Sequence, residues 1–136
     1  MQFERLSVGD MLPSVSVDPV DRTVLALFAG ASGDHNRIHI DIDFARSAGM
    51  DDVFAQGMLG MAWLSRLLVN WADQRQLREW NVRFLDITRL GDAITCSGRV
   101  IEKFEAGGER LVRLRIEAIN QKQEAKIVGD AVVAVA

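Results

Sequence analysis

The chain has 136 residues, 49% hydrophobic and 26% charged, with 16 basic against 19 acidic side chains and a formal net charge of −3. That length suits one domain, residues 1–136, able to bury a core without disulfide or metal staples. A pI near 5.3 leaves no basic footprint for nucleic acid.

The single cysteine, Cys96, excludes an internal disulfide framework and suits a reducing cytoplasm. Met1 runs straight into QFERLSVGD, with no apolar signal region. The longest strongly apolar stretch, residues 58–71, is broken by Ser65, Arg66 and Asn70 and is too polar to span a bilayer. No repeat, low-complexity tract or linker divides the sequence.

The first half reads as helical. In VDPVDRTVLALFAGASGD, Asp18 is the expected N-cap, Pro19 the first helical residue and Asp21 a first-turn acid. Val24, Leu25, Leu27 and Phe28 supply an apolar face, and the stretch from Gly30 to Gly33 ends the helix. A short second helix is expected over residues 44–48, with Gly49 just past its end. A third starts at Gly57 or Met58 and runs to about Asp73. It is apolar around nearly its whole circumference, which predicts burial on all sides.

From Trp80 the pattern changes to strands: NVRFLDI, DAITCSGRVIEKFE, RLVRLRIEAIN and AKIVGDAVVAVA. The turns EAGGER and NQKQE join the last three as hairpins. In RLVRLRIEA, Val112, Leu114, Ile116 and Ala118 alternate with Arg113, Arg115 and Glu117, marking one buried and one wetter face. With a further strand near residues 11–17, this is an α+β domain. The economical packing wraps an antiparallel sheet of about five strands around the central helix, as in a hot-dog fold. Such a sheet leaves an open edge, which a homodimer would cover.

Both histidines of the chain fall in SGDHNRIHID, residues 32–41. A metal site, an acid/base pair, a helix cap and chance are all open readings of this cluster. His35 and His39 have H-x3-H spacing, but HNRIH lacks the glutamate of a HExxH site and no third ligand is evident. DHNRIHIDIDFA lacks the central glycine and final glutamate of an EF-hand. On the bland reading, Asp34 and Asn36 shape a turn, Asp41 or Asp43 caps the short helix, and His35 has no role.

The pairing of Asp34 with His39 weakens that reading. A loop can bring the two side chains together so that carboxylate and imidazole hold a water between base and acid. Downstream, FAQGML puts Gly57 at the N-terminus of the apolar helix, where a free N–H and the helix dipole favour developing negative charge.

SGDHNRIHIDIDFARSAG followed by FAQGML resembles the signature of the MaoC-like dehydratases, the (R)-specific enoyl-CoA hydratases or hydratase 2 enzymes. Their pattern is approximately S-G-D-x-N-P-(I/L)-H-x5-A with a later (A)-H-G-M. NVRFLDITRLGD is similar to their RF…P…GD strand and loop, so the resemblance covers most of the chain. It implies the hot-dog fold, an Asp34–His39 catalytic dyad oriented by Asn36, and Gly57 N–H as oxyanion donor.

Arg37 stands where the family usually has proline, Gln56 where histidine is common, and Ile87 and Leu90 in a loop that usually carries prolines. None removes a group that the chemistry requires; substrate choice and loop rigidity are what they affect.

The resemblance implies reversible addition of water to a trans-2-enoyl thioester. Coenzyme A or acyl carrier protein then arrives as part of the substrate, and neither metal nor redox cofactor takes part. A hot-dog thioesterase is one alternative, although the third helix has no Asp or Glu between Gly57 and Ala72. A non-catalytic partner subunit of a heterodimeric dehydratase is another, although both dyad members are present. Trp63 and Trp71 read as core residues, with the wall of an acyl tunnel as the alternative. Arg83 reads as a cross-strand ion-pair partner, with contact to a coenzyme A phosphate as the alternative, and Cys96 as an inert buried thiol.

Overall fold

One antiparallel sheet is formed by β1 (Val15–Ser16), β2 (Leu77–Phe84), β3 (Thr95–Ala106), β4 (Glu109–Ile119) and β5 (Ala125–Val135). Its spatial order is β1-β3-β4-β5-β2 in the computed structural model, which describes residues 1–136. Three helices complete the domain: α1 (Arg22–Ser32), α2 (Ile42–Ser47) and α3 (Gly57–Trp71). The five-stranded hot-dog architecture is the one expected.

The turns explain the pairing. Gly107 and Gly108 take φ of 59° and 76° between β3 and β4, the left-handed pair that a two-residue hairpin turn requires. Between β4 and β5, Gln123 takes φ of 64° without being glycine. The Asn120 side chain supports this turn by accepting from the backbone N–H groups of Lys122 and Glu124, each at 3.0 Å. At Gly129 of β5 a Cβ would sit 2.0 Å from the Asn81 carbonyl oxygen, so close approach of β2 demands glycine there.

The expected strand over residues 11–17 is reduced to an isolated Met11–Arg99 bridge and the two-residue β1. Pro13 lies between them and has no N–H to give the ladder. β2 begins and ends earlier than expected, releasing Leu85 into the connection to β3.

Helix α1 starts later than expected. Asp21, not Asp18, is its cap, accepting from Val24 N–H at 2.8 Å. Val20 is engaged elsewhere, since its N–H donates to Asp92 O and its carbonyl accepts from Gly91 N–H. Those two bonds tie residues 18–20 to the β2–β3 connection and keep them out of the helix. Leu25 and Ala29 form the buried stripe of α1, whereas Leu27 is 68% exposed.

Helix α3 lies against the concave face of the sheet through Leu59, Gly60, Trp63, Leu64, Leu67 and Leu68. Gly60 gives the closest approach: a Cβ there would meet Ile127 Cδ1 at 2.6 Å. Burial on all sides is not realised. Met58 is 56% and Val69 46% exposed, because a single sheet wraps only part of the circumference. Trp63 is core as expected, while Trp71 is only half-buried. Arg83 is exposed and makes no ion pair, because its cross-strand neighbour in register is Val128.

Candidate active site

Residues 32–41 turn on Gly33, which caps α1 at φ of 76°. Ser32 Oγ donates to Phe28 O at 2.6 Å and accepts from Asp34 N–H at 3.1 Å. Asp34 Oδ1 accepts from Asn36 N–H at 3.2 Å, and Asn36 Oδ1 accepts from Ile38 N–H at 3.1 Å. These successive short-range caps lead into a 3-10 turn at Arg37–His39. Asn36 therefore orients the loop through its own backbone and its cap, without a side-chain bond to Asp34 or His39.

The loop brings His39 Nε2 to 3.9 Å from Asp34 Oδ2. That is too long for a direct hydrogen bond and leaves both atoms available to a third group. His39 is buried, its side chain 10% exposed and its ring packed edge-on against Phe54 with centroids 5.0 Å apart. Its Nδ1 lies 2.8 Å from Phe54 O. A carbonyl only accepts, so Nδ1 carries hydrogen and Nε2 is the nitrogen free to exchange a proton.

The other members of the cluster part from this pair. His35 is exposed, with Nδ1 3.2 Å from Gly33 O. Asp41 caps α2, accepting from the N–H groups of Asp43 and Phe44. Arg37 reaches Asp41 at 2.7 Å and holds its carboxyl below the usual carboxylate range. The guanidinium also stacks over Phe44, 4.9 Å from the ring centre. A side-chain tie thus stands where proline would pre-set the turn. No three His, Cys, Asp or Glu side chains converge as a metal-ligand group.

Gly57 is the first residue of α3, and its N–H meets no backbone or side-chain acceptor. It lines a cavity of about 500 Å³, walled by Phe54, Gly60, Phe84 and the connection from Leu85 to Thr88. The Phe84 ring lies 3.3 Å from where a Gly57 Cβ would be. Gln56 is 1% exposed; its Nε2 donates to Leu25 O at 3.0 Å, while Oε1 has no partner.

Asp34 faces a different hollow of about 460 Å³, between α1, α3 and β2, lined by Phe28, Met58, Met61, Ala62 and Trp80 among others. Asp34 and Gly57 therefore line separate hollows at the start of α3. What joins them is the segment at residues 54–57, which accepts the His39 bond at one end and presents Gly57 N–H at the other.

Phe54 and Trp80 were not among the expected site residues. Phe54 fixes His39 through its carbonyl, which any residue supplies, as well as through its ring, so the acceptor itself leaves no signal in the residue type. Trp80 is legible from strand alternation, since it shares the inward face of β2 with Val82. Cys96 is fully buried and burial pushes its thiol up to about 12, so it carries no thiolate for nucleophilic chemistry.

Residues 8–122 match the family model described as the MaoC like domain. The chain belongs to the MaoC-like dehydratase family. The R-hydratase PhaJ1 from Pseudomonas aeruginosa superimposes with a TM-score of 0.84 at 26% identity, over 98% of this chain and 84% of that one. An (R)-hydratase from A. caviae, described as involved in PHA biosynthesis, superimposes with a TM-score of 0.81 at 23% identity, over 98% and 99% of the two chains. Fatty acid synthase subunit beta of Saccharomyces cerevisiae is 26% identical over 117 residues, 78% of this chain. This MaoC-like domain corresponds to only 6% of that subunit's length.

Proposed function

We propose that this MaoC-like domain is an (R)-specific enoyl thioester hydratase, running equally as a 3-hydroxyacyl thioester dehydratase. The observation that carries the reading is the separation of 3.9 Å between Asp34 Oδ2 and His39 Nε2, with Nδ1 already committed to Phe54 O. Two proton-exchanging atoms that do not bond each other can share one water. Asp34 takes a proton from that water as its oxygen attacks the β-carbon, while His39, entering the step with a proton on Nε2 as well as Nδ1, gives the Nε2 proton to the α-carbon. The proton held by Asp34 then passes back to Nε2 through the next water and resets the pair. The thioester carbonyl oxygen accepts from Gly57 N–H, so enolate charge develops at the positive end of the α3 dipole. Coenzyme A or an acyl carrier arrives with the substrate, and no metal or redox group enters the cycle. Thioester hydrolysis is disfavoured because α3 offers no carboxylate.

Two copies complete the site. β2 pairs with β5 on one side only, leaving its other edge unbonded. Phe84 and Leu85, at the end of that edge, are each 52% exposed. Pairing along this edge in a homodimer covers the apolar flank and joins the Gly57 cavity, which Phe84 and Leu85 wall, to the Asp34 hollow beside Trp80 as one tunnel at the subunit boundary. No helix is long and apolar enough to cross a membrane; the proposed compartment is the cytoplasm.

The decisive assay follows loss of conjugated-thioester absorbance across enoyl-CoA substrates of increasing length, with the product resolved by chirality. Turnover to the (R)-3-hydroxyacyl product is expected, and release of free thiol without hydration would replace this reading with a thioesterase. Light scattering tests the assembly: a fully active species at the 15.1 kDa monomer mass excludes the shared tunnel while leaving the dyad chemistry standing.

A further inference from the structure

Lys126, the second residue of β5, is 2% exposed. A buried ammonium is retained only where close partners offset its lost hydration, which otherwise costs several kcal/mol. Three carboxylates surround this one. Nζ lies 2.6 Å from Asp86 Oδ2, 3.3 Å from Glu124 Oε2 and 3.9 Å from Asp92 Oδ2. Asp86 and Asp92 come from opposite ends of the β2–β3 connection, and Glu124 from the β4–β5 turn. Asn120 Nδ2 joins Asp92 to Glu124 at 3.3 and 2.8 Å. Burial works against the charge on Lys126 but the carboxylates prevail, and its pKa is raised.

The backbone of Lys126 acts on the same target. Its carbonyl accepts from Leu85 N–H at 2.9 Å, so side chain and main chain together grip the first residues of the connection. No proline stiffens that connection. Its residues Leu85, Asp86, Ile87 and Thr88 wall the cavity beside Gly57. Thr88 O accepts from Ala55 N–H at 2.9 Å, and Arg89 bridges Phe54. Phe54 O is the acceptor that fixes His39.

We propose that Lys126 is a positioning residue of the active site, acting through Asp86. The clamp sets the place of the β2–β3 connection. The connection holds residues 54–56, and that segment fixes both the His39 ring and the Gly57 N–H. This inference rests on the function proposed above and names a residue that touches no substrate. It also separates the arms of the cluster: Asp86 is on the cavity wall, whereas Glu124 grips the same amine from the turn at the other side.

The test compares Asp86→Ala with Glu124→Ala, two carboxylates that are both about half exposed and pair with one lysine. Amide hydrogen exchange and steady-state kinetics are read on both variants. Asp86→Ala should speed exchange at Ala55 N–H by about tenfold or more, while Glu124→Ala leaves it within about twofold of wild type. KM should rise about fivefold or more in Asp86→Ala and stay within about twofold in Glu124→Ala. Asp86→Asn, which keeps one acceptor for Nζ, should recover part of the loss.

Equal exchange at Ala55 in the two alanine variants would mean that Lys126 only stabilises the fold, and the proposal would fall. Exchange reads the clamp whether or not the protein turns over an enoyl thioester. An inactive wild type with the expected exchange difference would therefore overturn the function and leave the clamp intact.

Discussion

The loop at residues 32–41 and the connection at residues 85–94 both shape the candidate site, but they are built by opposite means. In the first, nearly every fixing bond spans two to four residues: Ser32 to Asp34, Asp34 to Asn36, Asn36 to Ile38, Arg37 to Asp41. In the second, a local turn in which Asp92 accepts from Arg89 N–H is held in place by bonds that reach across the chain, 40 residues from Asp86 to Lys126 and 28 from Asp92 to Asn120. A locally built loop keeps its geometry wherever the domain puts it. A loop anchored at long range takes its place only once the sheet exists.

The largest effect should come from the local loop. Asp34→Asn and His39→Gln should each lower hydration by about 10²-fold or more, the contribution expected of a positioned acid or base. Folding should survive Asp34→Asn, because that side chain is 40% exposed. Near-wild-type turnover in either variant at unchanged thermal stability would remove the dyad.

The next effect breaks the long-range side. Gly129→Ala places a methyl group where the Asn81 carbonyl oxygen already sits, 2.0 Å away, and must push β2 from β5. A loss of about 1–3 kcal/mol is expected from overpacking, measured by urea unfolding. An unchanged midpoint would mean that β2 is free to shift. Asp21→Ala removes only the cap of α1 and should cost about 1 kcal/mol, leaving KM untouched.

Two smaller effects sharpen the contrast. His35→Ala should leave turnover within about twofold, as surface substitutions away from specific contacts do, and exhaustive chelation should leave activity intact. Zinc-restorable loss on chelation would instead bring the metal reading back. The pH dependence follows from carboxylates held low in the fold: Asp86 by Lys126, Glu124 by Asn120 and Lys126, Asp41 by Arg37, and Asp73 at about 2 by Arg75. Depressed values add stability above the ordinary carboxylate range. That stability is lost as pH falls through the folded values, from about 5 toward 2. Thermal midpoints should fall over that window, and Asp86→Asn should flatten part of the slope.

The same contrast governs what the sequence discloses. Alternation in RLVRLRIEA, the Gly107–Gly108 turn and the apolar α3 pattern are local signals, and they suffice for the five-stranded sheet around a helix. Spacing within SGDHNRIH lets Asp34 and His39 meet, and it is the family resemblance that singles them out as a pair. What stayed illegible depends on distant partners. Asp18 reads as the better cap until Val20 is found bonded to Gly91 and Asp92. Lys126 reads as an ordinary strand lysine until Asp86, Asp92 and Glu124 meet around it. The exposed flank of α3 reads as buried, because hydrophobic periodicity cannot tell a face covered by the sheet from one the sheet does not reach.

The strand order carries a consequence for how the chain reaches this state. β3, β4 and β5 follow one another in sequence and in space, joined by tight turns, so their closure entropy is small. β2 precedes all three yet pairs only with the last, and its register requires Gly129 to be in place. The three-strand meander is therefore expected to condense early and β2 with its following connection to dock late. In mutational kinetics, truncations at Leu114 or Ile116 should slow refolding, whereas truncation at Val82 should mainly hasten unfolding. On that ordering the cavity beside Gly57 acquires its wall in the last step of folding, after the hairpins are already formed.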